Sequence, residues 1–276
     1  MSNTSTRKSG SFPLKVLENL KNVKRKILIL SGKGGVGKTT FATNLSVALA
    51  KKGYMTGLLD VDIYGPNVPK LLGLEGQHPT AQNQVILPIF GPSGLKVMSM
   101  GFLLTNPDDA VAWRGNIVTK IIGQFLGDVA WEQLDYLVVD LPPGTGDEIL
   151  SILHSIPEID GVVVVTTPQD VAVLDARRAI RLVEKLDIPV LGIVENMTEF
   201  ICSGCGKSHK FFGKGAAEGA AKDYDIEYLG SLPFDEGVPS RSDKGLPFVG
   251  GVHNSRILRE FSGIVDRIVQ LVELRP

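Results

Sequence analysis

The segment at 32–39, GKGGVGKT, constrains the fold of this chain more than any other part of it. Four glycines fall within six residues there, after an apolar run at 26–31 that predicts a strand and before a helical pattern at 39–52. Glycines in this position let consecutive backbone N–H groups turn inward around an anion, and the positive end of the helix adds to the field. The segment satisfies G-x-x-x-x-G-K-[ST], which predicts a phosphate-binding loop between a strand and a helix.

The side chains of this loop predict a site for ATP with Mg²⁺, and slow ATP hydrolysis. Lys38 supplies a charge to the β and γ phosphates, and the Thr39 hydroxyl can complete the shell of a Mg²⁺ ion. The residues assigned to nucleotide binding in the loop are Gly32, Lys33, Gly34, Gly35, Val36, Gly37, Lys38, Thr39 and Thr40.

Short apolar runs alternate with helical patterns along most of the chain, which predicts an α/β fold with a doubly wound, mainly parallel sheet. The predicted strands lie at 26–31, 56–60, 137–140, 161–166, 190–195 and 228–231. The predicted helices lie at 39–52, 114–126, 147–155, 171–186, 215–223 and 255–274. A small hairpin insertion is predicted at 84–98. We assign 25–276 to one P-loop ATPase domain and 1–24 to a basic N-terminal segment that can be flexible.

Two predicted strands end in carboxylates at the edge where a doubly wound sheet binds its ligand. Asp140 closes an apolar strand, an arrangement that delivers a carboxylate to Mg²⁺, usually through water. Asp62 is the candidate for positioning or deprotonating the attacking water, with Asp60 supporting it or the Mg²⁺ shell. Asp at a strand end is also a common turn former, which is the alternative for these residues.

Composition excludes several classes of partner. Lys and Arg number 29 against 30 Asp and Glu, so a net charge of -1 gives no bulk field for nucleic acid or an anionic membrane. No apolar run approaches the ~20 residues needed to span a bilayer. The N-terminus has Ser and Thr where a signal peptide needs an apolar stretch, so we expect a cytoplasmic protein.

The cysteines, Cys202 and Cys205, stand as a C-x-x-C pair in a predicted loop at 202–205. The spacing is shared by zinc knuckles, dithiol redox pairs and iron–sulfur ligands. A complete zinc or [4Fe–4S] site needs about four ligands, and one chain supplies two thiolates. His209 is either a third ligand or an ordinary loop histidine. A two-fold axis that joins two pairs completes the site, which predicts a homodimer.

Lys33, directly after the first glycine, resembles the deviant Walker A group, which includes MinD, ParA, ArsA and the nitrogenase iron protein. The resemblance implies that Lys33 reaches across a sandwich dimer to the nucleotide of the partner chain. A solvated loop lysine is the alternative.

A wider set of motifs is similar to the Mrp/ApbC group of iron–sulfur cluster carrier ATPases. The set comprises GKGGVGKTT, DVDIYGPN, DLPPGTGDE, TTPQ, and ENM followed by CxxCG. The resemblance implies an ATPase carrier that assembles a [4Fe–4S] cluster bridging two subunits and transfers it to apoproteins. It also implies that Asn196 hydrogen-bonds the adenine edge, with Pro233 near the base. The alternatives are a turn asparagine and a loop proline.

Two other functions fit parts of this pattern. A positioning or partitioning ATPase like MinD or ParA predicts a basic amphipathic C-terminal helix or surface, and gives the cysteines no role. An electron-donating reductase like the nitrogenase iron protein takes its bridging cysteines from well-separated segments, whereas those here are adjacent. The mixed polar face of the segment 255–274 favours packing on the sheet over membrane binding.

Overall fold

A computed structural model describes residues 12–104, 115–202, 204–213, 215–251 and 256–275. The strands are β1 (Val23–Leu30), β2 (Thr56–Asp60), β3 (Ala81–Gln82), β4 (Val85–Ile86), β5 (Ile89–Phe90), β6 (Lys96–Ser99), β7 (Leu134–Asp140), β8 (Gly161–Thr166), β9 (Val190–Glu195), β10 (Phe200–Ile201), β11 (Ser208–His209) and β12 (Glu227–Ser231). The α-helices are α1 (Leu14–Leu20), α2 (Lys38–Lys51), α3 (Val68–Leu72), α4 (Gly115–Gly127), α5 (Asp147–Ser155), α6 (Asp170–Lys185), α7 (Ala217–Asp223), α8 (Gly237–Ser242) and α9 (Arg256–Glu273).

Eight of the strands form one sheet in the order β12-β9-β8-β1-β7-β2-β6-β5. The neighbouring pairs are parallel except β5 and β6. Helices flank the sheet: α2 packs against α9, α4 against α5, and α6 against α7. The four residues 27–30 of β1 have no exposed surface, which explains why this part of the strand is a continuous apolar run. The predicted α/β sheet is confirmed.

The N-terminal part of the chain corrects one expectation. Residues 14–20 form α1, which buries Val16 and Leu20 and packs against α4, and β1 begins at Val23, ahead of the expected boundary at 24. Asn19 Nδ2 donates hydrogen bonds of 2.8 Å to the carbonyls of Leu126 and Val129. The apolar spacing of Val16 and Leu20 therefore decides the structure of this stretch, rather than its lysines. Residues 1–11 lie outside the described residues.

The predicted hairpin at 84–98 is present as β5 and β6, with Ile89 opposite Val97. It is not an insertion, because β6 also pairs in parallel with β2 and so extends the main sheet. β3 and β4 form a separate two-stranded sheet. The sequence did not predict that β6 joins the main sheet, because the four residues of β6 are too few to show a clear hydrophobic period.

The last helix, α9, packs its apolar face on the fold. Its buried residues are Ile257, Phe261, Ile264, Val265, Ile268 and Val272. This agrees with the expectation of packing over membrane binding. Among the described residues, none of the helices is both long and apolar enough to cross a membrane.

Candidate nucleotide and cysteine sites

The glycine loop follows β1 and leads directly into α2. Gly35 and Gly37 have φ angles of +79° and +87°, a left-handed conformation that disfavours other side chains. Gly32 lies against α6, where a Cβ atom would overlap the backbone of Asp175. Backbone shape explains Gly35 and Gly37, and close packing explains Gly32.

Lys38 is the central charge of the site and is 5% exposed. Its Nζ lies 2.8 Å from Asp140 Oδ1 and 3.7 Å from Asp62 Oδ2. It also lies 3.3 Å from Thr39 Oγ1. Strand β1 delivers the loop beside the ends of β7 and β2, so the sheet gathers residues that are distant in sequence.

Three adjacent strand ends form a row of polar side chains. Asp60 on β2 is the register partner of Asp140 on β7 and of Ser99 on β6. Ser99 Oγ donates a hydrogen bond of 2.7 Å to Asp60 Oδ2, and the Asp62 N–H donates one of 3.1 Å to Asp60 Oδ1. Burial, and then the neighbouring Asp140 carboxylate, raises the pKa of Asp60 to about 8. Burial also raises the pKa of Asp140, which Lys38 opposes.

One oxygen of the row is unpartnered. Asp140 Oδ2 is buried and makes no hydrogen bond to a described residue. The Thr39 hydroxyl belongs to the same cluster, near Lys38 and Asp140. Mg²⁺ binds hard oxygen ligands such as these and keeps several waters. The residues present therefore fit a Mg²⁺ ion held by Thr39 and, through water, by Asp140.

Asp62 forms a turn, and its side chain also reaches the loop lysine. Its Oδ1 accepts hydrogen bonds of 3.2 Å from the N–H groups of Tyr64 and Gly65, so it does form a turn. Its Oδ2 faces the Lys38 ammonium. The turn fixes the side chain in place, and the second oxygen remains directed at the site.

Lys33 is partly exposed in the glycine loop. Its carbonyl accepts a hydrogen bond of 2.9 Å from Ser31 Oγ. Its ammonium forms no ion pair with the residues that the structure describes, in contrast to that of Lys38. The two lysines of the motif therefore differ in their surroundings. Carboxylates of the same chain neutralise Lys38, whereas the Lys33 ammonium has no carboxylate partner among the described residues.

A cavity of about 230 Å³ opens beside the loop. It is lined by Gly37, Thr40, Phe41, Asn196, Met197, Leu232, Pro233, Phe234, Asp235, Val238, Pro239, Ser242, Phe248, Ile257 and Phe261. Asn196 and Pro233, the residues predicted to lie near the base, are both in this wall. The walls are mainly apolar, as expected of a site that covers a planar ring.

Asn196 is already engaged with the loop. Its Nδ2 donates a hydrogen bond of 2.9 Å to the Val36 carbonyl, and its Oδ1 accepts one of 3.0 Å from the Met197 N–H. The neighbouring Glu195 has a structural task, because its Oε1 accepts hydrogen bonds of 3.1 Å from the N–H groups of Ala216 and Ala217 at the start of α7. This explains why α7 begins at Ala217, two residues after the predicted start.

The cysteines lie on a small hairpin of their own, apart from the carboxylate cluster. β10 and β11 pair antiparallel, and Cys202 and Cys205 stand in the connection between them. The Cys202 N–H donates to the Lys207 carbonyl, and the Gly206 N–H donates to the Cys202 carbonyl. Hydrogen bonds from the N–H groups of Cys205 and Gly204 hold the pKa of the Cys202 thiol below its usual range. The turn therefore favours a thiolate, the form that binds metal.

His209 completes no metal site with the residues that the structure describes. Its ring stacks on Phe211, with centroids 5.7 Å apart and planes at 8°. Within the described ranges, no group of three or more His, Cys, Asp or Glu side chains is placed to hold a metal ion. One hairpin thus offers two thiolates.

The structure brings together most of the predicted site and adds one residue to it. Lys38, Thr39, Asp62 and Asp140 converge at one edge of the sheet, with Asp60 behind them. Ser99, the partner of Asp60, was not among the predicted residues. A serine at the end of the apolar run 97–98 was the available signal, and it is too common to single out.

A glycine loop and a buried lysine at the carboxyl end of an internal parallel strand define a P-loop NTPase. Residues 22–269 match the family model described as "ParA: NUBPL iron-transfer P-loop NTPase". The chain belongs to this family.

Two curated relatives are similar over nearly the whole chain. The iron-sulfur cluster carrier protein of Methanocaldococcus jannaschii is 49% identical over 259 residues, which cover 94% of this chain and 89% of the relative. The iron-sulfur cluster carrier protein of Saccharolobus solfataricus is 44% identical over 260 residues, covering 94% and 88%.

Solved structures agree with the fold. The nucleotide-binding protein of Archaeoglobus fulgidus, in complex with ADP, is 39% identical with a TM-score of 0.74, covering 84% of this chain and 90% of that one. The septum site-determining protein MinD of Pyrococcus horikoshii, complexed with Mg-ADP, is 22% identical with a TM-score of 0.68. It covers 92% of this chain and 99% of that one, and at this identity the likeness concerns the fold alone.

Proposed function

We propose that this protein is an ATP-hydrolysing carrier that assembles a [4Fe–4S] cluster and transfers it to apoproteins. The observation that carries the proposal is the exposed hairpin, which presents Cys202 and Cys205 on a chain that also bears a phosphate loop. The relatives named as iron–sulfur cluster carriers support it, as does membership of the iron-transfer family.

The nucleotide site acts on ATP through residues with separate tasks. Lys38 holds the β and γ phosphates within the cradle of loop N–H groups from residues 32–40. Asp62 orients or deprotonates the attacking water, so that a proton leaves as phosphate and ADP form. Thr39 and, through water, Asp140 would hold a Mg²⁺ ion, which would neutralise phosphate charge. Asn196 hydrogen-bonds the adenine edge.

Two chains are needed for both halves of this activity. Lys33 has no ion pair with described residues, which suits a side chain that reaches the nucleotide of a partner subunit. Each hairpin supplies two thiolates, and two hairpins at a two-fold axis supply the four that a cluster takes. The acting species is therefore a homodimer, which works in the cytoplasm. It gives the cluster to apo iron–sulfur proteins, and nucleic acid and membranes are not its partners.

A MinD- or ParA-like positioning role is less well supported. It would leave the cysteines without a task. The apolar face of α9, which a membrane-binding helix would need free, is buried in the core. The MinD likeness at 22% identity extends to the fold alone.

The test is anaerobic reconstitution of the full chain with iron and sulfide, followed by iron and sulfide assay, visible spectroscopy and molecular mass. We expect about four irons per two chains. Zinc also binds thiolates, so bound zinc before reconstitution does not decide the matter. Cys202→Ala and Cys205→Ala should lose the cluster and keep ATP binding. Asp62→Asn is the reciprocal control, because it should hold the cluster and lose hydrolysis.

Cysteine variants that reconstitute and transfer a cluster like the parent would show that the carrier function is wrong. The positioning ATPase would then replace it.

A further inference from the structure

Two cavities of this protein share a wall. The first is the cavity of about 230 Å³ beside the glycine loop, which we call the base cavity. The second measures about 300 Å³ and lies against the cysteine hairpin, with Phe200, His209 and Phe211 in its lining. We call it the hairpin cavity. Met197 and Phe234 line both cavities, so a change at this shared wall affects both.

Met197 holds its place in the shared wall with a strained backbone. Its φ angle is +59°, in the left-handed region that glycine and asparagine enter most readily. Among the described residues, the other non-glycine positions with positive φ all carry polar side chains. Strain of this kind persists only where the surrounding structure enforces it, and it collects at ligand clamps and switch regions. The conformation of Met197 therefore indicates a task beyond packing.

On one side, Met197 is tied to the phosphate loop. Its N–H donates a hydrogen bond of 3.0 Å to Asn196 Oδ1, and Asn196 Nδ2 donates one of 2.9 Å to the Val36 carbonyl. Its side chain ends beside the loop, because a Cβ atom on Gly37 would come within 3.7 Å of Met197 Cε. A purine ring that fills the base cavity therefore packs on Met197.

On the other side, the shared wall is tied to the hairpin. Phe234 pairs with Phe200 in a parallel β-bridge, and its N–H donates a hydrogen bond of 2.8 Å to the Glu199 carbonyl. The Phe200 and Phe234 rings meet edge-on, with centroids 6.1 Å apart. Cys202 follows Phe200 by two positions in the chain. The shared wall therefore supports β10, the strand that leads into the cysteines.

We infer that Met197 couples nucleotide binding to the cysteine hairpin. The inference rests on the proposed function, which supplies a purine to the base cavity and a cluster to the cysteines. The hairpin has a short ladder that opens locally. A bound base restricts the flexible Met197 side chain and so restricts the wall that supports β10. Nucleotide then holds the cysteine turn closed, and metal on the hairpin raises nucleotide affinity by the same factor.

This coupling runs through the base and not through the phosphates. Met197 lies in the base cavity, whereas Lys38, Asp62 and Asp140 form the phosphate end of the site and line neither cavity. Pyrophosphate fills the loop and leaves the base cavity empty. A comparison of ADP with pyrophosphate therefore separates the two routes.

The experiment measures amide hydrogen exchange in the hairpin of the cluster-free full chain. Samples contain no ligand, saturating Mg-ADP or saturating Mg-pyrophosphate, and mass spectrometry follows peptides that include the N–H groups of Cys202 and Gly206. The test variant is Met197→Ala, and Met197→Leu restores an apolar side chain of similar volume. Met55→Ala is the matched control, because Met55 is 48% exposed and lines neither cavity. Molecular mass is followed in each sample, since contact between two copies would also slow exchange.

Mg-ADP should slow hairpin exchange in the parent about fivefold to tenfold, and Mg-pyrophosphate should leave it unchanged. In Met197→Ala the slowing should disappear, whereas Met197→Leu and Met55→Ala should keep it. A side chain that only packs would instead speed exchange of Met197→Ala in all three samples and leave their ratio unchanged. After reconstitution, the parent should bind ADP more tightly than the cluster-free chain by the same factor.

Equal slowing by Mg-pyrophosphate and Mg-ADP would overturn the inference, because the phosphates would then carry the coupling. So would a parent-like ratio in Met197→Ala, or slowing that appears only with a rise in molecular mass. If Met197→Ala does not fold or bind ADP, the comparison on the parent decides by itself. A parent that takes up no cluster would refute the carrier function and leave the exchange result standing, whereas a parent that binds no nucleotide would refute both.

Discussion

Asp60 and Asp140 are register partners on adjacent parallel strands, and neither side chain has any exposed surface. Burial and the neighbouring carboxylate raise the pKa of Asp60 from its ordinary 3.8 to about 8. The folded chain therefore keeps a proton that the unfolded chain releases between these values. Through this group, the free energy of unfolding falls as the pH rises toward 8.

Asp60→Asn should remove this loss. In the absence of nucleotide and Mg²⁺, we expect the variant to be more stable than the parent at pH 8 by about 1 kcal/mol or more, which corresponds to one pKa unit. The difference should shrink toward pH 5. Denaturant unfolding across this pH range measures it, and parallel curves for the two proteins would contradict it. Ser99→Ala, which removes a hydrogen bond to Asp60, should instead lower stability.

Lys38→Ala should abolish useful Mg-ATP affinity, because no other residue of the loop at 32–40 replaces that charge inside the cradle. It should also lower the stability of the nucleotide-free protein by about 3 kcal/mol, since it leaves Asp140 buried without its partner. Calorimetric titration and chemical unfolding measure the two effects. In the double variant with Asp140→Asn, stability should recover and ATP affinity should not. Stability unchanged by Lys38→Ala would contradict the pairing.

Lys33→Ala should keep most of the ATP affinity and lose about 100-fold in turnover, because its proposed contact is with the partner's nucleotide in the transition state. Fold stability should not change. The sharper test mixes it with Asp62→Asn. Random pairing gives half mixed dimers with one intact site each, so activity should return to about a quarter of the parent's. A mixture as inactive as its components would count against action across the dimer.

Asp62→Asn should bind ATP like the parent and hydrolyse it about 100-fold more slowly. The amide oxygen can still accept from the N–H groups of Tyr64 and Gly65, so the turn is kept while the negative charge is lost. Asp62→Ala is the comparison, because it loses the turn as well and should bind less tightly. A mild change in turnover for Asp62→Asn would return this residue to a structural role alone.

Asn196→Asp should weaken ATP binding about tenfold, because a carboxylate cannot donate to the Val36 carbonyl and the loop loses that hydrogen bond. If Asn196 also contacts adenine, the preference for ATP over GTP should fall in parallel. Titration with both nucleotides measures this. Equal weakening for the two would assign Asn196 to the loop and not to the base.

The positions that follow from local pattern were predictable from the sequence, and those that follow from tertiary pairing were not. Continuous apolar runs indicated the parallel strands, and the glycine spacing located the phosphate loop. The ion pair of Lys38 with Asp140 depends on β1 lying next to β7, and the bond from Ser99 to Asp60 depends on β6 pairing with β2. No local spacing encodes which strands become neighbours.

The same limit applies to the cavity and to α1. Asn196 and Phe261 meet in one wall although 65 residues separate them in the chain. Helix α1 was not predicted, because the segment 1–24 was interpreted from its basic residues and the burial of Val16 and Leu20 needs α4 as a partner.

The hairpin of β10 and β11 has a consequence for how this protein can evolve. Strand β1 is bonded on both sides within eight strands, so its amides should exchange with solvent only when the whole domain opens. Strands β10 and β11 pair Phe200 with His209 and Ile201 with Ser208, and such a short ladder frays locally. Insertions and substitutions in the cysteine loop should therefore leave the phosphate loop undisturbed. The protein can then acquire new cargo or new recipients while the main sheet keeps its fold and stability.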